Sequence, residues 1–226
     1  MMALPLQIVG FALHPASERV EHVTSVLYGP SHVTLFCSWL LVTLGLPALY
    51  ARQASRAGRL GLVGFIMSVA AVSYHVYLTL YEGFAVPAMA AEPPTRALLG
   101  NGAPLAHGAG ALGPLATVLM LAWPLFGIAT LRAGVLPAAA GWLQVAAIPI
   151  FIAMAAGLGF IFDGAVGPDG QLWISGMLPI ATLYWILFCG YAVAGYALWR
   201  EPLLSRLRST SSQTDGTTTS APELAR

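Results

Sequence analysis

The composition of this 226-residue chain is typical of a membrane protein. Its residues are 58% hydrophobic and only 8% charged, and its mean hydropathy is +0.76, whereas soluble domains carry about 25% charged residues. The net charge of +1 and the absence of basic patches, zinc-ligand spacings and phosphate-binding glycine motifs argue against nucleic acid as a partner.

The first apolar stretch is too short to cross a bilayer. Residues 1–13 are apolar and end at His14-Pro15, and no basic region precedes them, so they do not match a cleaved signal peptide. We expect residues 1–29 to form an extracytoplasmic or interfacial segment. An added half-span is the alternative.

Five longer apolar stretches follow, each with roughly 20 or more mostly apolar residues, enough to cross a hydrocarbon core of about 30 Å. The predicted fold is therefore an all-α membrane protein, a bundle of about five transmembrane helices over residues 30–200. The Ser/Thr-rich residues 201–226 have too little apolar surface to fold and are predicted to be a disordered cytoplasmic tail. The spans lie near residues 30–50, 60–82, 108–131, 137–162 and 172–199.

The basic residues, all of them arginines, set the predicted orientation. Arg19 and Arg96 lie on one side of the predicted bundle, and the other eight lie on the opposite side. Because loops rich in Lys and Arg remain in the cytoplasm, the N-terminus is expected outside and the C-terminus inside a bacterial plasma membrane. The eight are Arg52, Arg56, Arg59, Arg132, Arg200, Arg206, Arg208 and Arg226.

Glu82, at the end of span two, is the principal candidate for a functional acid. A carboxylate beside hydrocarbon is costly to maintain and often marks a functional site. Ser68, His75, Thr79 and Glu82 fall within roughly 60° of one another on one helical face. The predicted orientation places Glu82 at the outer boundary, so an interfacial acid that simply faces water is the alternative.

Other polar and aromatic residues adjoin the outer ends of the spans. Asp163 follows an apolar run and either ends its helix at headgroup level or opens into a cavity. His32 shares a helical face with Trp39, and Trp173 shares one with Tyr184. Either face could line an outward-facing cavity in the bundle.

The histidines and cysteines do not predict a bound metal or a disulfide. Paired histidines on two helices can hold haem, but His75 lies deeper than His32 and His107, which favours structural, hydrogen-bonded roles. Cys37 and Cys189 lie at different depths of different spans, so no disulfide is expected. No cofactor and no metal are predicted.

Three stretches carry a resemblance to a known group. They are residues 45–54 (GLPALYARQA), 57–65 (AGRLGLVGF) and 81–90 (YEGFAVPAMA). They resemble small multi-pass proteins of actinobacteria, whose build is similar to that of bacterial membrane-bound terpene cyclases of the drimentine type. Those in turn resemble fungal meroterpenoid cyclases, which have seven spans and rely on a Glu and an Asp. The resemblance covers residues 30–132.

The resemblance implies a terpene cyclase, an isomerase or lyase of secondary metabolism, acting on a hydrophobic prenylated, farnesyl-type substrate that enters from the lipid bilayer. Glu82 matches the cyclase glutamate and would protonate an alkene or epoxide, while Asp163 would be the second acid. His75 would orient Glu82 or resupply its proton. Aromatic faces stabilise carbocations. The residues expected to bind substrate are His32, Trp39, Thr79, Trp173 and Tyr184.

Two other classes of function remain open. A small proton-coupled transporter would also place Glu82 and His75 in a polar path, although the sequence shows no internal repeat and no paired broken helices. A non-catalytic membrane protein would use Glu82 only for hydrogen bonds between helices.

Overall fold

A computed structural model describes residues 1–15, 20–99, 118–162 and 177–215, with the backbone alone for 159–162 and 202–215. Asp163 and Trp173, both predicted site residues, lie outside these ranges, as does His107.

All regular structure in the described ranges is helical, which confirms the predicted all-α class for this part of the chain. The helices are α1 (Ala3–Leu13), α2 (Val20–Val23), α3 (Tyr28–Leu80), a π-helical turn (Tyr81–Ala85), α4 (Val86–Ala91), α5 (Pro93–Arg96), a 3₁₀ turn (Ala97–Leu99), α6 (Ala122–Ala133), α7 (Ala138–Phe162) and α8 (Leu178–Asp215).

Three helical segments are long and apolar enough to cross a membrane. They are Tyr28–Ala91, Ala138–Leu158 and Leu178–Glu201, whereas Ala3–Leu13 and Val118–Ala133 are apolar but shorter. Helices in water rarely expose such long apolar surfaces. The composition and the helices therefore agree on a protein of the membrane type.

Helix α3 is a hairpin, broken at Gly58. The backbone of Gly58 has φ 60° and ψ −159°, a conformation that only glycine adopts readily. On either side of it the chain packs against itself: Tyr50 stacks on Phe65 at 4.4 Å between ring centroids, and Trp39 stacks on His75 at 4.3 Å. The midpoint of each pair falls at residue 57 or 58, so the first arm (28–57) and the second arm (59–80) are antiparallel. The residues of the predicted spans 30–50 and 60–82 fall on these arms and on the π-helical turn that follows them.

The remaining helices pack around the hairpin. Helix α6 packs between α3 and α7, α7 packs against α8, and α1 covers a seam between α3 and α8. Small residues allow close approach of the helix backbones. A Cβ at Gly64 would lie 2.8 Å from the backbone nitrogen of Phe126, and one at Gly127 would lie 2.7 Å from the carbonyl oxygen of Gly141.

The short N-terminal helix α1 is held to the bundle by a buried polar contact. The Ser38 hydroxyl is hydrogen-bonded to the side-chain amide of Gln7, and both side chains are fully buried. Phe11, one turn further along α1, stacks on Tyr184 of α8 at 5.9 Å. The apolar residues 1–13, expected as an interfacial segment or a half-span, therefore form part of the packed helical core.

The two ends of the hairpin differ in charge. At the Gly58 turn, Arg52 pairs with Glu201 of α8, and Arg52 and Gly134 line the same cavity. We call this the arginine end. At the opposite end the π-helical turn brings Glu82 beside the start of the first arm.

Helix α8 continues beyond the expected end of the bundle at residue 200. The backbone is helical as far as Asp215, where the composition predicted a tail without structure. Extending a helix that has already formed adds one hydrogen bond per residue and needs no new nucleus. This explains how helix can continue into a Ser/Thr-rich segment.

Candidate functional site

A cavity of about 180 Å³ lies at the end of the bundle opposite the arginine end. It is enclosed by α1, both arms of α3, the π-helical turn and α8. All the predicted site residues that the structure describes line this cavity, and their predicted roles remain predictions. They are His32, Trp39, His75, Thr79, Glu82 and Tyr184.

Glu82 is positioned by the π-helical turn that follows the second arm. A π turn inserts an extra residue into the helix and is frequent at functional sites. The carboxylate Oε2 of Glu82 lies 3.6 Å from Nε2 of His32, which is on the first arm. The His32 side chain is 1% exposed, whereas that of Glu82 is 19% exposed. The acid therefore reaches the cavity while its imidazole partner is enclosed.

The hydrogen bonds of His32 define its tautomer. Its Nδ1 lies 2.9 Å from the carbonyl oxygen of Tyr28, and a carbonyl only accepts hydrogen bonds, so Nδ1 carries a hydrogen. The Ser31 hydroxyl also donates to this carbonyl, at 2.7 Å. The second ring nitrogen, Nε2, faces Glu82. Nε2 is thus left to accept the proton of the Glu82 carboxylic acid, although at 3.6 Å the two groups must approach further before a hydrogen bond forms.

Gly83 permits the close approach of the two arms at this point. A Cβ at Gly83 would lie 2.6 Å from the Cβ of His32, closer than non-bonded carbon atoms approach in proteins. The glycine beside Glu82 thus allows the imidazole of His32 to lie directly opposite the carboxylate.

His75 has a different partner from the one that the sequence suggested. Its Nδ1 donates to the carbonyl of Ala71 at 2.7 Å, and the Tyr184 hydroxyl donates to its Nε2 at 2.8 Å. The ring also stacks on Trp39. We expected His75 to orient Glu82. The structure places His75 in the same cavity as Glu82, but its side-chain partner is Tyr184 of α8.

Aromatic rings form much of the cavity wall. Trp39 makes edge contacts with Tyr184 at 5.3 Å and with Phe188 at 4.7 Å. Phe11 also stacks on Tyr184. The faces of such rings carry negative electrostatic potential and attract a positive charge held nearby. The cavity therefore combines an acid with a wall able to stabilise a cation.

Sequence reasoning missed the contribution of α1 and of the first turn of α3. Gln7, Phe11 and His14 line the cavity, and the His14 ring lies 4.9 Å from that of His32. Two signals were available: Gln7 is a polar residue inside an apolar run, and Tyr28 precedes His32 by four residues on the same helical face. The ring centroids of Tyr28 and His32 lie 4.2 Å apart.

A larger apolar groove of about 370 Å³ lies between α1, the first arm and α8. Its wall contains side chains such as Leu41, Val42 and Phe188, and no acid or imidazole among the described residues. The smaller cavity, which combines a carboxylate with imidazoles, is the candidate site.

No protein-family model, curated protein or solved structure matches this chain. The resemblance to membrane-bound cyclases therefore depends on the three sequence stretches given above, and any activity has to be argued from the cavity itself.

Proposed function

We propose that this protein is a membrane-embedded terpene cyclase in which Glu82 protonates a hydrophobic, prenylated substrate. The observation that carries the proposal is the Glu82–His32 pair, 3.6 Å apart, at a cavity walled by aromatic rings. Cyclising a prenyl chain without loss of diphosphate requires an acid that can give a proton to an alkene or epoxide.

The reaction conserves protons. The O–H bond of the Glu82 carboxylic acid breaks as a C–H bond forms on a terminal alkene, or as the oxygen of an epoxide is protonated. The cation that results is attacked by the next double bond, which forms a C–C bond and closes a ring. Loss of a proton from carbon to a base then gives the cyclic alkene. Asp163 remains a candidate for this base. The base then releases its proton and the partly exposed Glu82 carboxylate takes one up from solution, so that the cycle consumes no proton, while Nε2 of His32 faces the restored carboxylic acid.

The aromatic wall and the size of the cavity fit this chemistry. Trp39, Phe11 and Tyr184 supply ring faces for a carbocation, and exclusion of water protects the cation from quenching. The volume of about 180 Å³ is below the 300–1,000 Å³ of typical ligand pockets. We infer that the cavity takes the reacting end of a farnesyl-type chain, with the remainder extending into the bilayer.

We also propose that the five predicted spans cross a bacterial plasma membrane with the arginine end in the cytoplasm. The expected outside N-terminus does not fit this arrangement, because Met1 lines the apolar groove with Leu49 and Leu198, about one turn from Arg52 and Glu201. Arg52 and Arg56 share a cavity with Gly134, and Arg52 contacts Glu201. The turn of the hairpin, the turn between α6 and α7, and the end of the predicted last span therefore lie at one end. Positively charged turns remain in the cytoplasm, which leaves Glu82 at the outer face.

The test measures cyclisation in membranes containing the protein. Farnesylated indole and farnesylated quinol substrates are incubated with these membranes, and products of unchanged mass are separated by chromatography. Glu82→Gln keeps the shape of the side chain but removes the acid, and we expect product formation to fall by about 10²–10⁴-fold. Glu92→Gln makes the same change at an exposed position and serves as the control. Equal product from wild type and Glu82→Gln at equal expression would refute the proposal.

A further inference from the structure

A second polar cavity, of about 310 Å³, lies at the arginine end. It is formed where the hairpin turn meets the turn between α6 and α7, and it is lined by Arg52, Ser55, Arg56, Gly134 and Val135. It is at the opposite end of the hairpin from Glu82, so it does not belong to the site described above.

The charge at this end is strongly positive. Glu201 is the one acid there among the side chains that the structure describes, because the other described acids, Glu21, Glu82 and Glu92, lie at or beyond the opposite end of the hairpin. An excess of fixed positive charge attracts anions from solution or from a membrane surface. The arginines at this end are Arg52, Arg56, Arg59, Arg132 and Arg200.

The two arginines of the cavity wall differ in their partners. Nε of Arg52 donates to both carboxylate oxygens of Glu201, at 3.0 and 2.9 Å, and Nη2 contacts the same carboxylate. Arg56 lies one helical turn further along the same face. In the part of the chain that the structure describes, no hydrogen bond or ion pair engages Arg56. The charge of Arg52 is therefore offset, while that of Arg56 is available.

The opposite wall leaves room for a ligand. Gly134 ends α6 in the left-handed conformation, with φ 60° and ψ 25°, and a Cβ placed there would have no atom within 4 Å. Ser55, exposed beside Arg56, adds a hydroxyl that can donate a hydrogen bond. A free guanidinium and a hydroxyl around an open polar cavity are groups that bind phosphate oxygens.

We propose that this cavity binds the phosphate of an anionic phospholipid, with Arg56 and Ser55 as the donors. The level of the cavity along the apolar helices favours lipid as the source of the phosphate. Arg52 and Arg56 lie in the last two turns of the first arm, and Glu201 ends the apolar part of α8. Headgroups lie beside the ends of a spanning helix. This proposal does not depend on the activity proposed for the Glu82 cavity.

Glu201 gives the proposal a second, independent consequence. Its carboxylate and a lipid phosphate compete for the same Arg52 guanidinium. Removing the carboxylate frees a second arginine for the phosphate, so Glu201→Gln is expected to strengthen lipid binding. Loss of this negative charge would strengthen lipid binding both by a specific site and by non-specific electrostatic attraction. The arginine variants below distinguish these two explanations.

The experiment measures lipid retention by native mass spectrometry. Full-length protein in neutral detergent is titrated with phosphatidylglycerol or phosphatidylcholine. We expect wild type to retain phosphatidylglycerol selectively, Arg56→Gln to bind it about fivefold more weakly, and Glu201→Gln to bind it more tightly. Arg59→Gln removes the same charge at the same end but outside the cavity wall, and it should bind as wild type does.

Three results would overturn the proposal: equal weakening by Arg56→Gln and Arg59→Gln, no preference for phosphatidylglycerol, or unchanged binding in Glu201→Gln. A further arm adds inorganic phosphate at constant ionic strength. Displacement of the lipid by millimolar phosphate would show that free phosphate is the ligand and would overturn the choice of lipid. Because Arg56 is exposed and unengaged among the described residues, its variant should fold normally, and circular dichroism checks this.

Discussion

Oε2 of Glu82 and Nε2 of His32 face each other across the open end of one helical hairpin, 3.6 Å apart. The residues lie on different arms, and neither spacing along the sequence nor a shared helical face connects them. Their juxtaposition depends on the reversal at Gly58 and on the π-helical turn at Tyr81–Ala85. This pair is the feature on which the acid chemistry of the proposed cyclase depends.

His32→Asn is expected to lower cyclisation by about 10²-fold, because the proton of Glu82 would lose the imidazole that shares it. The matched control is Thr34→Ala, which removes a hydroxyl that donates to the carbonyls of Pro30 and Ser31 on the same arm. Product formation is measured in the same membrane assay. Groups that act as a unit give non-additive losses. A Glu82→Gln/His32→Asn double variant should thus be no less active than Glu82→Gln, and multiplying losses would contradict the shared proton.

Gly83→Ala should also reduce activity without changing any titratable group. The added Cβ would lie 2.6 Å from the Cβ of His32, so the arms must separate and the distance from Glu82 to His32 must increase. Gly45→Ala, on the first arm, places its Cβ in open space and should retain full activity. If the two variants cyclise substrate equally well, the spacing of Glu82 and His32 does not control the reaction.

Tyr184→Phe is expected to reduce the free energy of unfolding by about 1–3 kcal/mol, because Nε2 of buried His75 would lose its hydrogen-bond donor. Unfolding is measured by denaturant titration of the purified protein in mixed micelles. Tyr196→Phe removes a hydroxyl from an exposed tyrosine of the same helix and should change the stability by less than about 0.5 kcal/mol. Equal effects of the two substitutions would argue against a structural role for the bond to His75.

Gly58→Ala tests the turn of the hairpin. Alanine at φ 60° and ψ −159° is strained although its Cβ would meet no neighbouring atom, so we expect a loss of about 1–3 kcal/mol from backbone strain alone. Gly45→Ala again provides the comparison, because it lies in regular helix and should be neutral or stabilising by up to about 1 kcal/mol. The same denaturant titration measures both variants. Equal stabilities of the two variants would contradict the positive φ of residue 58.

The sequence predicted the all-helical class, because long apolar runs are typical of membrane-type helices. The polar stripe was also correct as far as it follows a regular helix: Ser68, His75 and Thr79 are all buried. Beyond Leu80 the π-helical turn changes the angle per residue. Glu82 still lines the same cavity as His75 and Thr79, but its carboxylate contacts His32 of the first arm.

The partners within the site could not be obtained from periodicity. His32 meets Glu82, and His75 meets Tyr184, through contacts between elements far apart in sequence. Such contacts depend on how helices are rotated against one another, which single-helix patterns do not encode. The contribution of α1 was missed for the same reason, since Gln7 and Phe11 enter the cavity only because α1 packs over the seam between α3 and α8.

The hairpin also fixes the order in which the site is expected to form during synthesis. His32 and Glu82 belong to a single antiparallel pair of helical arms, whereas Tyr184 comes from α8. Ribosomes add about 5–20 residues per second, so the roughly 100 residues from Glu82 to Tyr184 take about 5–20 s to synthesise. Through that interval the nascent chain already contains the acid and its imidazole. The pair is therefore expected to form before α8 is synthesised, and Tyr184 then completes the aromatic wall to which Phe11 and Trp39 already belong.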